Sequence, residues 1–194
     1  MIDLAKLKAA NAARWAAMQV DPALGTILDR AARRLTDPLA KARYQIVAAT
    51  TQVPWFVIAV IHEREASQSW AANLAQGDPW NAVSLHVPKG QGPFASWEEA
   101  AVNALAHSPP YAAQWADWSV GGALTLLEHY NGLGYALRGV PSPYLWAGTD
   151  QYKSGKYIAD GHYDPHAIDH QLGCAALMTR MAGLDKSIKV GGAT

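Results

Sequence analysis

Glu63 and Glu65 stand at the end of VPWFVIAVIHERE, residues 53 to 65, where nine uncharged and almost wholly apolar residues run straight into His62, Glu63, Arg64 and Glu65. A carboxyl group at the border of a buried helix is partly desolvated, which raises its pKa and lets it hold a proton near neutral pH for general-acid work. The competing explanation is a solvated helix terminus, a common reason for charges at such an end. The two glutamates lie about 200° apart on a helix, so only one can face a cleft, and periodicity does not choose between them. HEREA is not a zinc-protease face, because His-Glu-x-x-His needs its second His one turn on and that position is Ala66.

The acids need a helix to hold them. Pro54 suits a first turn, and the apolar residues that follow on every side predict a central helix from 54 to about 70 enclosed by protein. Before it, residues 3–18, 23–35 and 38–51 read as helices, with Asp21-Pro22 and Asp37-Pro38 placing a cap and a first-turn proline at the second and third. After Gly77-Asp78-Pro79 the pattern changes. Val83, Leu85 and Val87 alternate ahead of the turn-rich Pro88 to Pro93, which predicts a short β-hairpin or an ordered loop. Ser96 and Glu99 have capping-box spacing for a helix through Leu105, broken by Pro109-Pro110. A helix or helix pair then spans 111–130, bent or interrupted near Gly121-Gly122, followed by a long irregular segment at 132–165 and a last helix at about 166–183.

The 194 residues, half of them hydrophobic, suffice for one well-buried core. Zero net charge gives no general pull toward nucleic acid or anionic lipid. Charge is unevenly placed, with eight Lys or Arg against four Asp in residues 1–45, a modest bias that would favour an anionic surface such as a cell wall. Cys174 is the only cysteine, so no internal disulfide can form, and its apolar helical surroundings predict a packed core thiol. The first residues, MIDLAKLKAANAARW, lack the apolar run of a signal peptide, and nothing approaches a bilayer-spanning length. Synthesis in a reducing cytoplasm and no stable membrane insertion are the expectations. His162, Asp164, His166, Asp169 and His170 carry metal-ligand chemistry, with His166 and His170 expected on one helix face, but exposure around a helix start explains them and neither metal nor cofactor is expected.

Eight Trp and eight Tyr against two Phe is a biased aromatic set, suited to stacking on sugar faces. Trp15, Trp55, Trp115 and Trp118 lie in helical patterns and read as packing. Trp80, Tyr135, Tyr144, Trp146 and Tyr157 are the candidates to line a groove.

The arrangement of buried helix, terminal Glu and β-like segment is similar to that of the lysozyme superfamily. IHERE, GDPW, LHVPKG, FASWEEAAVNAL, LLEHYNGLGY, SPYLW, Y-x-x-GKY-x-x-DG and Q-x-G, in this order over about residues 45 to 180, resemble a family of phage and prophage lysozymes distantly similar to goose-type lysozymes and soluble lytic transglycosylases. The resemblance implies a mainly α, lysozyme-like α+β fold in which 1–45 is a helical extension packed on or attached to a catalytic domain at 46–185, with a flexible tail at 186–194. It implies that Glu65 is the general acid of a muramidase cleaving the β-1,4 bond between N-acetylmuramic acid and N-acetylglucosamine. Glu63 is then a structural ion-pair partner. An inverting hydrolase also wants a base about 6.5–9.5 Å away, for which Asp78, in a Gly-Asp-Pro turn thirteen residues after Glu65, is the best candidate; Asp before Pro is equally ordinary turn chemistry. Tyr130-Asn131-Gly132 resembles the transglycosylase Tyr-Asn-Ala-Gly motif, with Gly132 where that family has Ala, and implies sugar contacts. The implied protein is a monomeric endolysin acting on peptidoglycan glycan strands after release by a holin. A lytic transglycosylase, which works with the Glu alone, and a non-catalytic wall-binding module remain alternatives.

Overall fold

The computed structural model describes residues 2–75, 77–86 and 88–190. In chain order its helices are α1 (Leu4–Ala17), α2 (Gly25–Leu35), α3 (Pro38–Thr51), α4 (Trp55–Ala66), α5 (Trp97–His107), α6 (Val120–Tyr130), α7 (Gly134–Arg138), α8 (Pro143–Trp146) and α9 (Cys174–Leu184). Strands β1 (Lys156–Ala159) and β2 (His162–Asp164) form a two-stranded antiparallel sheet, so the fold is mainly α with a small β element, as expected. The chain divides into two compact units, Arg33–Trp118 and the remainder on either side of it. Among the described residues no single helix is long and apolar enough to cross a membrane. Val87 and residues 191–194 of the expected tail lie outside the described residues.

In the Arg33–Trp118 unit, the Asp37 carboxylate accepts from the Leu39 and Ala40 N–H groups and Pro38 opens α3, the cap and first-turn proline expected there. Gln52, in the left-handed region at φ 61, ends α3, and after Pro54 the chain turns so that α4 leaves at 113° to α3. Val57, Ile58, Val60 and Ile61 are wholly buried, each worth roughly 1.5–3 kcal/mol as core. α4 stops at Ala66, four residues short of expectation. Ser67 and Gln68 both take left-handed backbone (φ 49 and 63), and their N–H groups close on the Glu63 and His62 carbonyls at 3.0 and 3.2 Å.

Among the described residues of 80–95 there is no strand, so of the two alternatives the ordered loop is present and not the hairpin. Asp78 takes the N–H groups of Leu85 and His86 with its side chain, so these donors are withheld from a strand ladder. Val83 and Leu85 are exposed as a result. Ser96 accepts from the Glu99 N–H and caps α5, while the Glu99 carboxylate reaches back one residue further than a capping box, to the Ala95 N–H.

In the other unit α1 packs along α6. Asp3 caps α1 by accepting from Ala5 and Lys6. Gly121 sits in the first turn of α6, and a Cβ there would lie 2.6 Å from the Lys8 carbonyl oxygen and 3.1 Å from the Ala12 Cβ. The expected interruption falls at 115–119, ahead of the glycines, which serve this backbone approach rather than a bend. The segment expected to be irregular carries α7, α8 and the sheet. Tyr157 pairs with Tyr163 across the strands, and Gly161 at φ 72 turns the hairpin. The last helix begins eight residues late, because the Asp164 side chain accepts from the His166 and Ala167 N–H groups and holds a turn. His166 and His170 therefore share no helix face. Cys174 opens α9 and is fully buried, as expected.

Two glycine substitutions in helices should act in opposite directions. Gly121→Ala should destabilise by about 1–3 kcal/mol through overpacking against α1. Gly183→Ala, exposed in α9 with no atom near its virtual Cβ, should stabilise by up to about 1 kcal/mol. Urea unfolding of both variants reads the two signs.

Candidate active site

His62, fully buried on α4, organises the helix end. Its Nε2 lies 3.0 Å from the Ser69 carbonyl oxygen, which can only accept, so Nε2 carries the proton. Nδ1 is then the acceptor for the Tyr44 hydroxyl at 2.9 Å. Burial lowers the His62 pKa to about 4, and burial likewise pushes the Tyr44 hydroxyl well above its usual range, so both stay neutral across the physiological interval. Trp70 and Trp97 pack on the imidazole at ring separations of 4.6 and 4.9 Å. The Arg43 guanidinium lies 4.0 Å over the Trp70 ring and hydrogen-bonds Glu98, whose carboxyl it holds below the ordinary range.

On this pinned end the two acids part company. Glu63 is drawn toward α2 and the following loop, 3.9 Å from Arg34 and accepting from the Gln68 amide, the structural partner expected of it. Glu65, two residues on, is half-buried. Its backbone carbonyl is backed by Gly77 (φ 71), where a Cβ would lie 2.9 Å from that oxygen. The next residue along that turn is Asp78.

Asp78 is buried and fully engaged. Oδ2 accepts from the Leu85 and His86 N–H groups at 3.1 and 3.0 Å, and Oδ1 lies 2.6 Å from His86 Nδ1. The His86 side chain, followed by its backbone N–H, holds the carboxyl below its usual range. This carboxylate is ionised but weakly basic, and it clamps the 78–86 loop. Trp80 stays half-exposed while its indole N–H donates to the Trp70 carbonyl.

The remaining expected residues lie in the other unit. Asn131 and Gly132 are exposed just past α6, and Tyr130 is half-buried. Tyr157 is half-buried, packs on Tyr135 and Tyr163, and takes a hydrogen bond from Arg138. Tyr135 is 6% exposed, and its hydroxyl accepts from the Tyr157 N–H. Tyr144 and Trp146 are buried, at 2% and 1% exposure, on the short helix that Pro143 starts. Of the four Trp expected as packing, Trp55 is buried and Trp15, Trp115 and Trp118 are half-buried.

Sequence reasoning missed the cluster of Tyr44, His62, Trp70 and Trp97. The signal available was weak, an imidazole beginning the polar end of an otherwise apolar helix. The chain matches no family model, no curated protein and no solved structure. The likeness to phage lysozymes therefore rests on the motifs.

Two measurements check this geometry. In the folded protein the His62 ring should stay neutral down to about pH 4 in an NMR titration. An unfolded chain would protonate it near 6.5, so its contribution to stability is complete above 6.5 and is lost as pH falls from there to about 4, roughly 3 kcal/mol in all. Asp78→Ala should remove hydrogen-exchange protection from the Leu85 and His86 amides and leave that of α4 unchanged.

Proposed function

We propose that the protein is a peptidoglycan-cleaving muramidase of the lysozyme type, with Glu65 as the general acid that protonates the glycosidic oxygen. One observation carries the reading: a half-buried acid at the abrupt end of a helix enclosed on every face, with the Gly77–Asp78 turn against its own carbonyl. Such a position at the edge of the core is one from which a carboxyl can act as a general acid. The ordered motif set adds the substrate, the β-1,4 bond between N-acetylmuramic acid and N-acetylglucosamine. A glycan contact by Trp80, half-exposed in the unit that carries Glu65, belongs to the same proposal. So does a life as an endolysin, made in the host cytoplasm and reaching the wall through a holin.

Asp78 supports a second reading. With both oxygens hydrogen-bonded and its basicity reduced, it is poorly placed to activate a water. A lytic transglycosylase needs no such base, because the substrate's own hydroxyl attacks.

Glu65→Gln should cut the solubilisation of purified cell walls by at least about a hundredfold with an unchanged melting temperature. Glu63→Gln should retain activity. Full activity in the Glu65 variant would sink the assignment, and the absence of turnover in the unsubstituted protein would leave a glycan-binding module. Mass spectrometry of the digest separates the two chemistries: reducing ends mean hydrolysis, anhydro ends transglycosylation.

A further inference from the structure

A cavity of about 480 Å³ lies within the unit that holds α1 and α6, bounded by α1, the end of α6 and the α7–α8 segment. Its size is that of a small-molecule site. Leu7, Leu137, Val140 and Pro141 give it apolar walls, and three buried polar side chains, Asn11, Glu128 and Ser142, lie among its lining residues.

Two of these groups are unusual. Ser142 stands at the N-cap of α8, where a serine hydroxyl ordinarily accepts from the first turn, yet it makes no capping bond. Its Oγ is buried with no hydrogen-bond partner in the protein, a state that costs about 1–3 kcal/mol. Glu128, 2% exposed, accepts from the Asn11 amide through Oε2 at 3.3 Å, and the same amide reaches the Thr125 hydroxyl at 3.3 Å. No step proposed for Glu65 uses either group.

We propose that this cavity binds a small carboxylate carried on a short apolar stem. The charges set the sign. Lys6 and Arg14 from α1 line the cavity, with Asp3 as the single opposing exposed charge, and the 136–146 segment contributes no titratable lining residue. A ligand ammonium would meet both cations; a carboxylate is favoured by them. Burial raises the Glu128 pKa against the opposing pull of Asn11 and Arg14, and the protonated acid is a hydrogen-bond donor. The Ser142 hydroxyl is a second donor, and the apolar walls take the stem. On its own helix the neighbouring His129 has its pKa lowered by burial. A free short-chain acid and the C-terminal carboxylate of a peptide ending in small apolar residues share this chemistry.

The test uses the full chain, observed by NMR and titrated with butyrate, with N-acetyl-Ala-Ala and with butyramide as the uncharged counterpart. A carboxylate should shift the amides of Asn11, Leu137 and Ser142 and bind more tightly as the pH is lowered over the range where the ligand stays ionised; butyramide should do neither. Response to butyrate alone identifies a free acid as the ligand, and response to the dipeptide alone identifies a peptide end. Ser142→Ala should weaken binding about tenfold, the loss of one hydrogen bond to a charged group. Lys6→Ala, an exposed change that spares the core, should weaken it and reduce its salt sensitivity. Glu128→Gln keeps a donor that does not titrate, so it should keep binding and lose the pH dependence. Failure of both carboxylates to move these amides overturns the proposal, as does equal binding of butyramide. Neither result depends on what Glu65 does.

Discussion

The hydrogen bond from the His62 ring to the Ser69 carbonyl closes the end of α4, and the candidate site is built on that closure. A helix buried on all sides must dispose of its last carbonyls without water. Here two consecutive left-handed residues, neither of them glycine, turn the backbone onto those carbonyls, and that conformation costs energy in each. The imidazole offsets the cost by tying the chain beyond the turn back to the helix and to Tyr44. Trp70 and Trp97 keep water from the ring, which is also why it stays neutral.

Asp78 extends the same logic outward. An ionised carboxylate that gathers two backbone N–H groups and an imidazole replaces a stretch of β-ladder, holding a loop with few apolar contacts in one shape. Rigidity and basicity trade against each other at this residue. The bonds that order the loop are the bonds that lower its affinity for a proton, so a role in positioning fits it better than a role in proton abstraction.

Much of the helical frame was legible because its signals are local. Asp37-Pro38 and Ser96-x-x-Glu99 mark helix starts through bonds within four residues, and the apolar run before His62 announces burial by itself. Features that depend on distant partners were not legible. The end of α4 carries no glycine or asparagine to betray it, so the pattern reads on to residue 70. Alternation at 83–87 suggests a strand, but the Leu85 and His86 donors are taken by Asp78, while the true hairpin turns on Asp160-Gly161, a standard hairpin signal within a stretch expected to be irregular. Tyr144 and Trp146 follow the same pattern: ring chemistry is visible in the sequence, but the direction a short helix turns them is not.

The close approach of α1 and α6 at Gly121 has a consequence for biosynthesis. The unit they share is assembled from the two ends of the chain, while Arg33–Trp118 is one unbroken stretch. A ribosome finishes that stretch first. For on the order of ten seconds at ordinary elongation rates, α1 waits without the helix it packs against. The candidate acid therefore belongs to the part of the protein that can fold earliest, and the carboxylate cavity to the part that can close only after Trp146 has been made.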